Sequence, residues 1–218
     1  MITDPSGSLF RVFLLEDDPN LNKDLKWLIE RKFPGVSVTE AKCVQDALTL
    51  LSSGDRPDVA LQDIRVPLLM GGHPETQTAV ADRLNELHVP SIFMTGYRSS
   101  EDVEEFIRRQ RLVDSKATII SKRQMDSLVD RIFSELNDWF GKIASERVTS
   151  QLERLFLSSH TAVRSHTGTA ELLTLQEDIR RYWNHLTDEA RNRVSQFFCV
   201  DEDGSQLTLS LDTTDHGV

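Results

Sequence analysis

The chain has 218 residues and a net charge of -10, and its composition is 39% hydrophobic and 28% charged. This content excludes an intrinsically disordered chain, and the length suits a domain of about 120 residues with an extension. No segment approaches the ~20 consecutive apolar residues of a membrane span. The first eight residues lack the basic and apolar regions of a signal peptide.

These features predict a cytoplasmic protein without a membrane segment. Cys43 and Cys199 lie far apart and without metal-ligand spacing, so we expect two free thiols in a reducing compartment. Residues 1–9 are expected to form a flexible N-terminus. Residues 124–218 hold 9 Lys and Arg against 16 Asp and Glu. Because phosphate contacts supply most non-specific DNA affinity, this acidic half disfavours nucleic acid as a partner.

Five short apolar segments alternate with helical patterns between residues 10 and 140. The predicted strands are 11–15, 36–39, 58–63, 89–95 and 117–122. Apolar residues at helical spacing predict helices at 21–33 (capped by Asn20), 47–51, 79–87, 101–107 and 128–140. This alternation predicts an α/β fold with a doubly wound, five-stranded parallel sheet. Right-handed crossovers then bring all strand carboxyl ends to one edge.

Charged and polar side chains follow four of these strands. They are Glu16, Asp17 and a third candidate, Asp18, after the first strand, then Asp63, Thr95 and Lys122. Crowded carboxylates raise one another's pKa unless a cation neutralises them. An all-oxygen set with positions left for water suits Mg²⁺ better than Zn²⁺. With Lys122 and Thr95 beside it, Asp63 could act as a nucleophile that holds a phosphoryl group. The alternative is that each residue only ends a strand in solvent.

Four motifs in order resemble the response-regulator receiver domain of bacterial two-component signalling, over residues 10–140. They are Leu14-Leu15-Glu16-Asp17-Asp18-Pro19, Leu61-Gln62-Asp63-Ile64-Arg65-Val66-Pro67, Phe93-Met94-Thr95-Gly96-Tyr97 and Ile119-Ile120-Ser121-Lys122. The resemblance implies a flavodoxin-like fold and a phosphoryl group accepted on Asp63 from a sensor histidine kinase or a phosphotransfer protein. It implies no enzyme activity beyond phosphorylation and dephosphorylation of the protein itself.

The same resemblance assigns roles to the strand-end residues. It implies that Glu16, Asp17, Asp63 and the backbone carbonyl of Arg65 bind Mg²⁺, with Asp17 as a direct ligand. Thr95 and Lys122 match the residues that contact the phosphoryl group. A phosphorylated receiver is preferred, and a non-phosphorylated receiver-like scaffold is the main alternative.

Three positions depart from the family pattern. Ile119 stands where an aromatic switch residue is usual, so Tyr97 is a candidate for reporting movement of Thr95. Arg123 follows the lysine where a proline is usual. The loop 68–74 is enlarged and carries His73, which is either a solvated histidine or a group that tunes dephosphorylation.

The second half has no recognised family pattern. We expect a helical interaction or dimerisation region at 141–200 and an acidic tail at 201–218 with a strand near 206–211. Apolar stripes predict a helix at 171–186 and another from Thr187 to about Phe198. The expected output is a contact with a downstream protein or a homodimer. His160, His166 and His185 allow a phosphorelay alternative, although no His-x-x-Lys-Gly pattern accompanies them. A second alternative is that the region simply packs on the receiver.

Overall fold

The computed structural model describes residues 8–54, 56–76, 78–96, 101, 106, 108, 118–123, 125–157 and 166–210. The predictions that concern residues 1–7, Tyr97, most of the helix at 101–107, His160 and the tail from residue 211 therefore lie outside the described residues. The chain divides into two compact units, Met1–Leu136 and Asn137–Val218. Every helix in the described part of the chain is too short or too polar to span a lipid bilayer.

The first unit alternates strands and helices. Its elements are β1 (Phe10–Leu15), α1 (Pro19–Lys32), β2 (Val36–Ala41), α2 (Val44–Ser52), β3 (Val59–Asp63), β4 (Arg65–Pro67), β5 (Pro74–Thr76), α3 (Ala79–Glu86), β6 (Ser91–Thr95) and β7 (Thr118–Ser121). The start of α4 (Met125–Leu152) also belongs to it. Glu101, Phe106 and Arg108 are helical as well.

Five strands form one parallel sheet in the order β2-β1-β3-β6-β7. This confirms the predicted doubly wound, flavodoxin-like fold. The strands are buried on both faces, so they appear in the sequence as continuous apolar runs. In the register, Asp63 lies opposite Met94 and Thr95 lies opposite Ser121. The carboxyl ends of the strands therefore form a common edge.

Among the described residues, two clusters of buried apolar side chains contain residues of the sheet and of the segments that cover it. The larger includes Phe13, Leu15 and Val44, and the smaller contains Ile64, Ala81, Phe93, Phe106 and Ile119. Phe93 and Phe106 meet edge to face with ring centroids 5.1 Å apart. Ile119, the residue at the aromatic switch position, is thus a core side chain.

The loop predicted at 68–74 is the turn of a hairpin, and only Pro74 differs from the prediction, because it begins a strand. Arg65–Pro67 and Pro74–Thr76 pair as an antiparallel hairpin, β4–β5. Gly71 has a φ of 77° in the turn, and the Gly72 N–H donates to the Leu69 carbonyl at 2.9 Å. Strands of three residues are too short to show an alternating pattern, so the sequence suggested only a loop. The hairpin turn exposes Leu68, Leu69 and Met70.

The cap of the first helix is also different from the prediction. Asp18, rather than Asn20, caps α1, because its Oδ1 accepts the N–H groups of Asn20 and Leu21 at 2.9 and 3.2 Å. Pro19 fills the first helical position, where the missing N–H has no intrahelical role. Asp18 therefore stabilises the helix start and is not part of the carboxylate cluster.

The second unit is mainly helical, as predicted. It contains the rest of α4, a π-helical turn (Glu153–Leu157), α5 (His166–Tyr182), a 3-10 turn (Trp183–His185) and α6 (Asp188–Ser195). A hairpin of β8 (Phe198–Val200) and β9 (Leu207–Leu209) follows. The strand predicted near 206–211 corresponds to β9. The helix predicted to reach Phe198 is wrong at its end, because α6 stops at Ser195 and Phe198 begins β8.

The apolar stripes of the second unit are buried. The buried side chains include those of Trp139, Phe140, Val148, Leu152, Leu175, Ile179, Trp183, Val194 and Phe198. The rings of Phe156 and Phe197 stack with their centroids 4.7 Å apart. Trp183 Nε1 donates a hydrogen bond to the Glu202 carbonyl at 3.2 Å. The stripes therefore supply the interior of this unit. Leu173 is the exposed large hydrophobic side chain among the described residues of this unit.

Candidate functional site

Three charged side chains converge at the carboxyl edge of the parallel sheet. Lys122 Nζ lies 2.5 Å from Asp63 Oδ2 and 2.6 Å from Glu16 Oε2. The side chains of Glu16, Asp63 and Lys122 are 1%, 10% and 16% exposed. Carboxylate oxygens of Glu16, Asp17 and Asp63 all lie within 4.8 Å of one another. The structure thus brings together four of the residues that the sequence placed at strand ends.

Backbone hydrogen bonds hold these residues where their strands end. The Glu16 N–H donates to the Ala41 carbonyl at 3.1 Å, which joins the exits of β1 and β2. The Arg65 N–H donates to Asp63 Oδ1 at 3.2 Å. The Lys122 N–H donates to the Thr95 carbonyl at 2.9 Å. Each charged group is therefore anchored by a neighbouring strand or turn.

Burial raises the pKa of both inner carboxyl groups. Burial, opposed by Lys122 and assisted by Asp63, raises the pKa of Glu16 from 4.5 to about 7. Burial also raises the pKa of Asp63, against the attraction of Lys122. Desolvation disfavours the ionised form of any carboxyl group. The carboxylates therefore hold more negative charge than this pocket stabilises by itself.

For the pKa of Lys122, attraction by nearby charges outweighs burial. Burial alone would lower the pKa of its ammonium group, but the attraction of Asp63 and Glu16 outweighs burial and raises that pKa. Lys122 therefore stays charged at neutral pH. Three carboxyl groups share one ammonium group at the site, so the carboxyl groups outnumber the cation that faces them. An oxygen-only donor set with this surplus fits a divalent cation such as Mg²⁺.

The remaining predicted site residues lie near this cluster. Thr95 is fully buried at the end of β6. Arg65 is in β4 next to Asp63, and its carbonyl as a cation ligand stays a prediction. His73 is exposed between the two hairpin strands. Arg123, at the usual proline position, is exposed and its Nε donates to the Gly96 carbonyl at 3.4 Å.

Asn22 is a residue that the sequence interpretation missed. Its side chain is fully buried, and Nδ2 donates to the Glu16 carbonyl at 2.9 Å and to the Ala41 carbonyl at 3.3 Å. Asn22, Leu25 and Ile29 are the buried residues of α1 and share one face. The signal in the sequence that could have identified Asn22 is a polar residue on an otherwise apolar helix face.

A parallel sheet in this order, with an acidic cluster and a lysine at its carboxyl edge, defines a flavodoxin-like α/β protein with a site at the strand ends. The first unit has the fold of a receiver domain. No protein-family model and no curated protein matches the sequence.

Solved receiver structures are similar to the chain in fold. A response regulator receiver protein from Sinorhizobium medicae is 18% identical over 60% of this chain and 93% of its own, with a TM-score of 0.47. A receiver domain protein from Methanospirillum hungatei is 22% identical over 61% of this chain and 97% of its own, with a TM-score of 0.43. The receiver domain of a histidine kinase from Syntrophus aciditrophicus is 22% identical over 57% and 90%, with a TM-score of 0.42.

Proposed function

We propose that the protein is a phosphorylation-dependent response regulator that accepts a phosphoryl group on Asp63. The observation that carries the proposal is the ion pair of Lys122 with both Asp63 and Glu16, at 2.5 and 2.6 Å. A lysine held beside a nucleophilic carboxylate can neutralise an incoming phosphoryl oxygen. The excess of carboxyl groups over the one ammonium group supports the same proposal, because buried carboxylates without a counter-ion are costly.

The proposed reaction transfers the phosphoryl group from a phosphohistidine on a kinase or phosphotransfer protein. An Asp63 oxygen forms the new O–P bond as the P–N bond breaks, and the imidazole nitrogen keeps the electron pair and takes a proton from solvent. Lys122 then pairs with a phosphoryl oxygen instead of the free carboxylate. The buried hydroxyl of Thr95 is a candidate donor to the same group. Positioning and charge neutralisation supply the rate enhancement.

Glu16, Asp17 and Asp63 would hold Mg²⁺, together with the Arg65 carbonyl. Mg²⁺ bound there would withdraw negative charge from the phosphoryl oxygens. Binding would also favour the ionised carboxylates over the protonated ones. The protein would turn over no substrate other than its own phosphoryl group, and its expected compartment is the cytoplasm, where the buried thiol of Cys43 stays reduced.

The proposed output is a change in protein contacts of the second unit, with homodimerisation as one form. DNA binding is less well supported. The basic residues of α6 are engaged within the chain, since Arg193 pairs with Glu153 at 2.7 Å and Arg191 Nε donates to the Trp183 carbonyl at 3.3 Å. Both arginines would have to exchange these contacts for phosphate contacts.

Incubation with acetyl phosphate and Mg²⁺, followed by intact mass spectrometry, tests the proposal. Wild type should gain the mass of one phosphoryl group, and Asp63→Asn should gain none. Asp58→Asn is the matched control, because Asp58 lies just before β3 at its other end, where its Oδ2 accepts the Arg11 N–H at 2.8 Å. We expect Asp58→Asn to label like wild type.

Two results would contradict the proposal. Wild type could remain unlabelled under conditions that label a known receiver, which would favour the non-phosphorylated scaffold. Equal labelling of Asp63→Asn and wild type would move the acceptor elsewhere. Light scattering of labelled and unlabelled protein then tests homodimerisation as the output.

A further inference from the structure

Asn22 joins two strand exits underneath the carboxylate cluster. Its Nδ2 donates to the Glu16 and Ala41 carbonyls at 2.9 and 3.3 Å, the residues that follow β1 and end β2. The Glu16 N–H donates to the same Ala41 carbonyl at 3.1 Å. One buried amide therefore clamps the backbone of Glu16 from a helix, while a neighbouring strand holds it from the side.

The first turn of α1 ties Asn22 to the acidic segment by a second route. The Asn22 N–H donates to the Asp18 carbonyl at 2.9 Å, and the Asp18 N–H donates to Glu16 Oε1 at 3.2 Å. Asp17 lies between these two anchored residues. The backbone on both sides of Asp17 is therefore restrained by contacts that involve Asn22 or its helix.

A buried amide at this position stabilises the fold less than an apolar side chain would, if packing were its only role. Asn22 is fully buried, and its Oδ1 has no hydrogen-bond partner within the described part of the chain. A leucine, which has the same branched arrangement of side-chain heavy atoms, would leave no unpaired polar oxygen and would bury more apolar surface. The two donated hydrogen bonds are what a leucine could not provide.

We propose that Asn22 is a positioning residue for divalent-cation binding by Glu16 and Asp17. The inference rests on the proposed function of this site. Asn22 holds the backbone of Glu16, so the carboxylates of Glu16 and Asp17 keep the spacing to Asp63 that one cation requires. Partners that orient metal ligands commonly contribute 10- to 100-fold to metal affinity.

The test compares Asn22→Leu with Asn20→Leu, the same substitution two residues earlier on the exposed surface of α1. Isothermal titration with Mg²⁺ should show an affinity about tenfold lower for Asn22→Leu, and wild-type affinity for Asn20→Leu. Circular dichroism and thermal unfolding of the same samples measure the fold. A purely structural role predicts a changed melting temperature with unchanged Mg²⁺ affinity, and that result would overturn the inference.

A measurement on the wild-type chain covers the case in which Asn22→Leu does not fold. During an NMR titration with Mg²⁺, the Asn22 side-chain amide signals should shift with the same midpoint as the Asp17 backbone amide. The inference would also be overturned if the Asn22 signals stayed fixed while the Asp17 signal shifted. Wild type that binds no Mg²⁺ would instead remove the proposed function, so the two failures are distinguishable.

Discussion

The two units of the chain use charged side chains in different ways. In the first unit Glu16, Asp63 and Lys122 form ion pairs with little solvent exposure. In the second unit the pair of Arg193 and Glu153 has side chains that are 38% and 50% exposed. Exposed pairs contribute about 0–1 kcal/mol, whereas buried charges cost several kcal/mol of desolvation. The comparison identifies the first cluster as the place where the burial of charge costs the fold the most stability.

Of the changes considered, removal of the buried Lys122 ammonium group should have the largest effect, and it should act on the rate of phosphorylation. Lys122→Met leaves Glu16 and Asp63 without their shared cation, so we expect labelling by acetyl phosphate to slow by about 100-fold or more. Lys26→Met is the matched control, because Lys26 pairs with Glu40 at 3.0 Å on the surface. Rates from time-resolved intact mass should be unchanged for the control. Equal rates for both variants would remove Lys122 from the reaction.

The second unit should instead be sensitive to apolar truncation. Phe198→Ala removes a fully buried ring and should lower the free energy of unfolding of this unit by about 3 kcal/mol or more. Phe197→Ala truncates the half-buried neighbour and should cost clearly less. Urea unfolding in a Trp27→Phe background, followed by the fluorescence of Trp139 and Trp183, measures both. Equal losses would show that the β8–β9 hairpin is not a core element.

Mg²⁺ should stabilise the first unit and leave the stability of the second unit unchanged. At a concentration ten times its dissociation constant, a bound cation stabilises the folded state by about 1.4 kcal/mol. We expect Mg²⁺ to increase hydrogen-exchange protection at the ends of β1, β3 and β7, with little change in α5 and α6. KCl at matched ionic strength is the control. Equal protection of both units by Mg²⁺ would contradict a site confined to the first unit.

The smallest expected effect is a pH dependence in the second unit. Burial of the His185 imidazole lowers its pKa below 6.5. Protonation therefore favours the unfolded chain, and the stability of this unit should decrease as the pH falls below 6.5. An NMR titration should give a midpoint below 6.5 for the His185 ring signal, which His185→Gln identifies by its loss. A midpoint at or above 6.5 would be inconsistent with burial.

Much of the first unit is predictable from local pattern. Strands buried on both faces must be apolar along their length, and the amphipathic helices between them force parallel pairing. The convergence of Asp63 and Lys122 follows from that topology, although they lie 59 positions apart in the sequence. The same logic anticipates the helices of the second unit, because their stripes have helical period.

Other features depend on partners distant in sequence. Asn22 resembles any polar helix residue until the carbonyls of Glu16 and Ala41 are seen beside it. Phe198 continues a helical stripe in the sequence, but pairing with Leu209 makes it the first residue of a strand. Three-residue strands such as β4 and β5 carry too little periodicity to be recognised.

Sequence alone is enough to predict the order of strands and helices along the chain, the carboxylates and lysine at the strand ends, and the acidic character of the second half. These properties follow from composition and period, which act over a few residues. Two features appear only in the folded structure: Lys122 pairs with both Glu16 and Asp63, and the Asn22 amide donates to the Glu16 and Ala41 carbonyls. Each of these depends on atoms that approach within hydrogen-bonding distance only after the chain has folded.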